Sequence, residues 1–125
     1  MSGPRRSLGE YLTDRCAQLG DLGAFVTYVY VVEFGDEANI HATLVFGRTV
    51  RLDVFEHVQM RTGRPHRLKY SYHLERDGEY VVRYDRDPSG HPELPEHKHM
   101  AGQDGRKPCG RMTLHDVAEE AWALV

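Results

Sequence analysis

Apolar and polar residues alternate over most of the chain between residues 38 and 85, in short blocks separated by turn residues. Successive side chains of a β-strand point to opposite faces, so this alternation predicts strands that each bury one face. The expected buried side chains fall into four groups, one for each strand: Ile40, Ala42, Leu44, Phe46; Val50, Leu52, Val54; Leu68, Tyr70, Tyr72, Leu74; and Tyr80, Val82, Tyr84. The connections between these groups are short, with a polar loop predicted at residues 61–65, and short connections favour antiparallel pairing.

Residues 24–34 are rich in Val and Tyr and predict a further strand before these four. A Ser–Glu capping box predicts a helix over residues 8–19, and a similar signal at Thr113 predicts another over residues 113–124. The second helix has an apolar stripe that we expect to face the core, formed by Leu114, Val117, Ala118, Ala121, Trp122 and Val125.

The fold class predicted from these patterns is α+β. We expect a five-stranded antiparallel meander sheet, flanked by an N-terminal and a C-terminal helix that pack on one face. A length of 125 residues predicts a single domain over residues 1–125.

Charge and composition restrict the function classes. The chain has 16 Lys and Arg against 19 Asp and Glu, a net charge of −3, which disfavours a domain that grips duplex DNA through a generally basic surface. Its two cysteines make no disulfide framework and suit a reducing compartment. The longest apolar run, residues 24–32, is far short of the roughly 20 residues of a membrane helix. We therefore expect a cytoplasmic protein without a membrane partner.

The hairpin at Asp77-Gly78 decides which polar side chains share a face of the sheet. A loop of even length would set Tyr72 opposite Arg83, whereas a three-residue loop with Gly78 in the left-handed conformation sets Tyr72 opposite Tyr84. Burial of one face favours the second register. The other face would then carry Lys69, Ser71, His73, Arg83 and Asp85. Such a group can clamp a phosphate and move protons near neutral pH, but it also fits a solvated face with ordinary cross-strand pairs.

No regular pattern is visible between residues 87 and 110, and a connection of that length is usually functional or mobile. It contains His91, His97 and His99, part of a total of eight histidines. Residues two apart in an extended segment point the same way, so His97 and His99 can share one task. We expect the loop to fold back and bring this pair to the face that bears Arg83.

Three interpretations of these histidines remain open. They can form a catalytic or RNA-facing cluster, a metal site with Asp85 or Asp87 as further ligands, or a structural polar loop. No CxxC or HExxH spacing supports the metal site. Lys98 lies between His97 and His99 in sequence, where it would repel a metal cation and attract phosphate, and this favours the nucleic-acid interpretation.

Four motifs in this order resemble the TumE-like toxin family, whose members have the form YxYH, DG, RYDN and PHHKH before a C-terminal helix. They lie at residues 68–73, 77–78, 83–85 and 95–99. The resemblance extends over about residues 38–122. Arg86 stands where the family usually has Asn, and Glu96 where it often has His.

The resemblance implies a toxin of a type II toxin–antitoxin pair that acts on RNA or the translation machinery. Its implied partner is a cognate antitoxin protein, with RNA and a second copy of the chain as further candidates. The candidate activity is that of a metal-independent ribonuclease with no cofactor. A non-catalytic module that binds a protein or a metal is the alternative.

Metal-independent RNA cleavage needs a base, an acid and a cation that stabilises the charged phosphorane. Histidines supply the first two, and Arg or Lys the third, while a carboxylate can orient a histidine or hold the arginine. The predicted site consists of His73, Arg83, Asp85, His97 and His99 as catalytic residues, with Lys69 and Lys98 as substrate-binding residues.

Overall fold

The computed structural model describes residues 6–125, which form two helices and seven strands. In chain order the elements are α1 (Leu8–Gly20), β1 (Phe25–Phe34), β2 (Glu37–Phe46), β3 (Val50–Arg61), β4 (Arg64–Arg76), β5 (Glu79–Arg86), β6 (Glu96–Met100), β7 (Lys107–Pro108) and α2 (Leu114–Leu124). Each strand pairs antiparallel with its neighbour in sequence, giving one sheet in the order β1 to β7. Within residues 6–125, neither helix has the length and apolar character needed to cross a membrane.

The predicted α+β class, the antiparallel meander and both flanking helices are confirmed, but the sheet has seven strands and not five. The additional strands, β6 and β7, lie in the segment predicted to be a loop. The residues of β6 are Glu, His, Lys, His and Met, so no apolar row marks the strand. Its backbone pairs with the edge of β5, and this pairing is not visible as hydrophobic periodicity.

Tight turns replace the loops predicted at two hairpins. Residues 61–65 were expected to form a polar loop, but β3 and β4 continue to a turn of Thr62 and Gly63 only, both at positive φ. The turn between β4 and β5 likewise has two residues, Asp77 and Gly78, with φ of 54° and 77°. Positive φ at both central positions is the geometry that matches the twist of paired strands.

The predicted register of β4 and β5 is confirmed, but it arises in a different way. Tyr72 pairs with Tyr84, as expected from burial. The predicted three-residue loop is wrong, because a two-residue turn is followed by a bulge at Val81 that shifts the pairing by one residue. The bulge has the same effect on register as an odd loop, since it adds one unpaired residue to β5.

Both helices cover the same face of the sheet, and we call the other side the open face. The buried cluster under α2 contains side chains from β2 to β5, together with Leu114, Val117, Ala118 and Ala121 of the helix. Tyr11 and Leu12 of α1 pack in a second cluster on the same face. The prediction that the whole α2 stripe faces the core is wrong at its C-terminal end, because Trp122 is 42% exposed and Val125 is 60% exposed. The Trp122 indole donates to the carbonyl of Leu22 at the rim of the core.

A buried carboxylate joins α1 to the sheet. Glu56 of β3 is enclosed on the helix-bearing face, where Arg15 of α1 donates to it from Nε over 2.8 Å. The hydroxyl of Tyr72 donates to the same carboxylate, and an Arg67 nitrogen lies 3.8 Å away. A buried charge is tolerated only when it is paired and hydrogen-bonded, so this network fixes where α1 crosses the sheet.

Gly78→Ala should lower the free energy of unfolding by about 1–2 kcal/mol, because a side chain at positive φ strains the backbone. No atom lies within 4 Å of the added Cβ, so the loss would report the turn geometry alone. Urea unfolding monitored by circular dichroism measures it. Gly110→Ala is the matched control, since its φ is ordinary and its surroundings are equally open, and we expect a change within about 0.5 kcal/mol. Equal effects of the two variants would contradict the proposed strain.

Candidate functional site on the open face

Alternation along β5 places the functional side chains. Val82 and Tyr84 lie in the core, so Arg83 and Asp85 project from the open face. The pairing of β5 with β4 and β6 extends these two positions into two rows across three strands, His73–Arg83–His99 and Ser71–Asp85–His97. The return of His97 and His99 to the face bearing Arg83 is confirmed, and a paired strand brings them there instead of a folded loop.

We call His73, Arg83, Asp85, His97 and His99 the open-face cluster, and Asp85 lies at its centre. It is 9% exposed, and its Oδ2 accepts a 2.9 Å hydrogen bond from Nε of Arg83. The same oxygen lies 3.5 Å from Nε2 of His97 and 3.4 Å from Nε2 of His99. Its other oxygen, Oδ1, is buried without a hydrogen-bond partner among the described residues. One carboxylate therefore faces three nitrogen-bearing side chains and retains an unsatisfied oxygen.

His97 is held rigidly below the surface. Only 2% of it is exposed, and its Nδ1 lies 2.9 Å from the carbonyl oxygen of Leu94. A carbonyl can only accept, so Nδ1 carries a proton, and in the neutral ring Nε2 presents its lone pair toward Asp85. The burial places this ring behind the carboxylate and away from a substrate on the surface.

His99 and Arg83 are the accessible members of the cluster. The Arg83 side chain is 41% exposed, and the ring of His99 is partly exposed beside it. Burial, followed by the positive charge of Arg83, lowers the pKa of His99 from its usual value near 6.5. The neutral form of this imidazole is therefore favoured.

His73 lies at the other end of the first row. It is directly opposite Arg83, on the side away from His99. Its Nε2 is 3.2 Å from a carboxylate oxygen of Glu75, and its ring lies 5.2 Å from that of Tyr80. These two contacts orient the imidazole. Glu75 was not identified from the sequence, and the prediction that Tyr80 is buried with Val82 and Tyr84 is wrong, because the bulge at Val81 turns Tyr80 to the open face.

The two predicted substrate-binding lysines lie on different faces. Lys69 lines a pocket of about 220 Å³ together with Arg83, Asp85 and Asp87. Lys98 pairs with Tyr84 and so projects from the helix-bearing face, away from the histidines on either side of it. Its predicted place in the site is therefore wrong, because the alternation that unites His97 and His99 also separates them from Lys98.

Arg86 and Glu96 lie opposite each other in β5 and β6, and the guanidinium donates to the carboxylate. The hydroxyl of Tyr70 donates to the second oxygen of Glu96 over 2.6 Å. Tyr70 is part of the core, so this group belongs to the helix-bearing face. These two positions, which differ from the pattern of the resembling family, therefore pair with each other and lie outside the open-face cluster.

A second feature of the open face was not predicted from the sequence, in which residues 24–34 indicated only a strand. Large apolar side chains of β1 project into solvent along one line, which we call the β1 stripe. Its members are between 37% and 72% exposed: Phe25, Tyr28, Tyr30, Val32 and Phe34. Their alternation was visible in the sequence, but nothing there showed that no element within residues 6–125 covers them.

Comparison with known proteins identifies a family. The family model described as Toxin TumE matches residues 19–125, a span that includes all seven strands, α2 and every residue of the open-face cluster. No curated protein and no solved structure matches the chain.

His97→Ala should lower the free energy of unfolding by about 2 kcal/mol, because it removes a buried ring and leaves the Leu94 carbonyl without its donor. His73→Ala removes the same side chain from a partly exposed position, and we expect a change within about 0.5 kcal/mol. Thermal and urea unfolding of both variants provide the measurement. A His97→Ala protein as stable as His73→Ala would show that the buried ring does not support the fold.

Proposed function

The chain belongs to the TumE toxin family, and from this premise we propose that it is the toxin of a type II toxin–antitoxin pair that cleaves RNA. The observation that carries the proposal is the row His73–Arg83–His99 on the open face. It sets an exposed guanidinium between two imidazoles, and these are the groups that metal-independent cleavage of a phosphodiester requires.

Arg83 is the proposed phosphate ligand. Among residues 6–125, the side chain of Arg83 donates a hydrogen bond only from Nε, so its two Nη nitrogens can face a phosphate. Lys69 lines the neighbouring pocket and would bind the phosphate of an adjacent nucleotide. Asp85 holds the guanidinium in place, and His97 behind it acts as a positioning residue because it is buried.

His73 and His99 flank the bound phosphate as acid and base. Directly opposed residues on neighbouring strands are about 5 Å apart, so each imidazole lies within reach of a phosphate held by Arg83. One imidazole takes the proton of the ribose 2′-hydroxyl as that oxygen attacks phosphorus. The other gives a proton to the departing 5′-oxygen. The products are a 2′,3′-cyclic phosphate and a free 5′-hydroxyl, and the guanidinium stabilises the charge of the phosphorane.

Arg83→Ala should reduce cleavage of single-stranded RNA by at least about 100-fold, the usual scale for a group that stabilises transition-state charge. The assay is electrophoresis of labelled RNA with purified protein, with and without a chelator. Arg48→Ala, which removes the same charge from the turn between β2 and β3, is the control and should cleave at the normal rate.

Cleavage that persists in chelator supports the proposal, and cleavage that chelator abolishes would show a metal enzyme instead. No cleavage by the unaltered protein favours the alternative, a non-catalytic binding module. Equal cleavage rates for Arg83→Ala and the unaltered protein would show that the row His73–Arg83–His99 does not carry out the cleavage.

We propose that the cognate antitoxin covers the β1 stripe. β1 is a ten-residue edge strand without Lys, Arg or Pro, the residues that normally protect an edge from pairing. A stripe of exposed aromatic side chains along such an edge is typical of a protein interface. Residues 21–47 carry four acidic residues and no Lys or Arg, so the matching partner surface is apolar with basic residues around it.

Tyr30→Lys should weaken the complex with the protein encoded by the neighbouring gene at least tenfold, since it places a charge in the centre of the stripe. Thr13→Lys adds the same charge on the exposed side of α1 and should bind normally. Isothermal titration measures both, and growth after co-expression checks the consequence in cells. Unchanged binding by Tyr30→Lys would contradict this docking site. If the purified chain is a dimer that Tyr30→Lys dissociates, a second copy occupies the stripe instead.

A further inference from the structure

Three potential metal ligands converge behind Arg83. Oδ2 of Asp85 lies 3.5 Å from Nε2 of His97 and 3.4 Å from Nε2 of His99, and the ligand atoms all lie within 4.8 Å of one another. Tetrahedral zinc holds nitrogen and oxygen ligands at about 2.0–2.1 Å, which sets neighbouring ligands about 3.3 Å apart. The spacing of the carboxylate oxygen from each imidazole therefore already matches that of ligands on one ion.

The hydrogen bond from Nδ1 of His97 leaves its Nε2 facing the place where an ion would bind. Its Nδ1–H donates to the Leu94 carbonyl, so Nε2 of the neutral ring is an acceptor that faces the Asp85 carboxylate. Two acceptors at this separation repel each other unless a proton or a cation lies between them. A histidine that donates its second N–H to a backbone carbonyl is also the usual arrangement around zinc, because that bond fixes the tautomer and the ring orientation.

Asp85 provides an independent indication. Its Oδ1 is buried and has no partner among the described residues, although a buried carboxylate oxygen normally accepts at least one hydrogen bond. A cation bound to the Asp85 carboxylate would offset the negative charge that this oxygen shares. Oδ2 can serve as a ligand while it accepts from Arg83, because a carboxylate oxygen has two lone pairs.

The nearby charges limit the affinity without preventing binding. Lys98 lies between the two histidines in sequence, but its side chain projects from the helix-bearing face and so does not repel a cation at this site. Arg83 does oppose it, since its Nε lies 2.9 Å from the ligating oxygen. A site with three protein ligands and a neighbouring guanidinium suits reversible binding, with water completing the coordination.

We infer that Asp85, His97 and His99 form a binding site for a divalent transition-metal ion of the zinc type. Occupation of the site has a consequence that rests on the proposed function. A metal on Nε2 of His99 uses the lone pair that proton transfer requires, so the bound ion inhibits RNA cleavage.

Titration of the chelator-treated full chain with Zn²⁺ by calorimetry, and with Co²⁺ by visible absorption, tests the binding. We expect one ion per chain and the intense absorption of tetrahedral Co²⁺. Asp85→Asn and His99→Ala should each weaken binding at least tenfold, whereas His73→Ala, which removes a histidine from the same face, should bind normally. His99→Ala carries the test if Asp85→Asn does not fold by circular dichroism. Equal binding by His99→Ala and the unaltered chain, or no binding at millimolar Zn²⁺, would overturn the inference.

The cleavage assay separates the metal site from the proposed activity. Inhibition by Zn²⁺ at the concentration that half-saturates the calorimetric site, reversed by chelator, supports both. Binding at the site with cleavage unaffected refutes the competition for His99. Binding without cleavage in any condition refutes the proposed ribonuclease and supports the metal site by itself.

Discussion

The position of β5 between β4 and β6 is the constraint on which the open-face cluster depends. Val82 and Tyr84 are buried against the helices, so Arg83 and Asp85 must project from the other face. A slip of one residue would exchange the two sets and bury both charges. The bulge at Val81 prevents that slip, because the two-residue turn alone would pair the strands in the wrong phase. The bulge at Val81 therefore decides whether the cluster exists.

The sequence predicted those parts of the fold that bury apolar rows. The apolar rows of β2 and β3, the capping boxes of both helices and the register of Tyr72 with Tyr84 are confirmed. The predicted row of β5 is wrong at Tyr80, which the bulge at Val81 turns to the open face, and Leu68 lies at a bulge of β4 and is only partly buried. β6 was missed because the residue it buries is a histidine, and hydrophobic periodicity cannot detect a polar side chain that is satisfied internally. The ion network around Glu56 was missed for the same reason, since only the folded chain brings Arg15 to it.

Part of the site could be derived from strand geometry alone. The two-residue spacing of His97 and His99 correctly placed both on one face. The same rule places Lys98 on the other face, although its adjacency in sequence suggested a shared task. The depth of His97 below the surface could not be predicted, because no pattern in β6 indicates it and the ring is held by its contact with the Leu94 carbonyl.

The open face carries two different surfaces that lie apart from each other. The β1 stripe is apolar and aromatic within a strand that has no Lys or Arg, whereas Arg83 lies four strands away on β5, between His73 on β4 and His99 on β6. Strands in a sheet are about 4.8 Å apart, so the stripe and Arg83 are separated by about 19 Å. A protein docked on β1 would not need to touch Arg83 to inhibit it. An RNA strand held by Arg83 and running toward β1 would meet that protein first, so under the proposed assignments inhibition would arise from exclusion across the face.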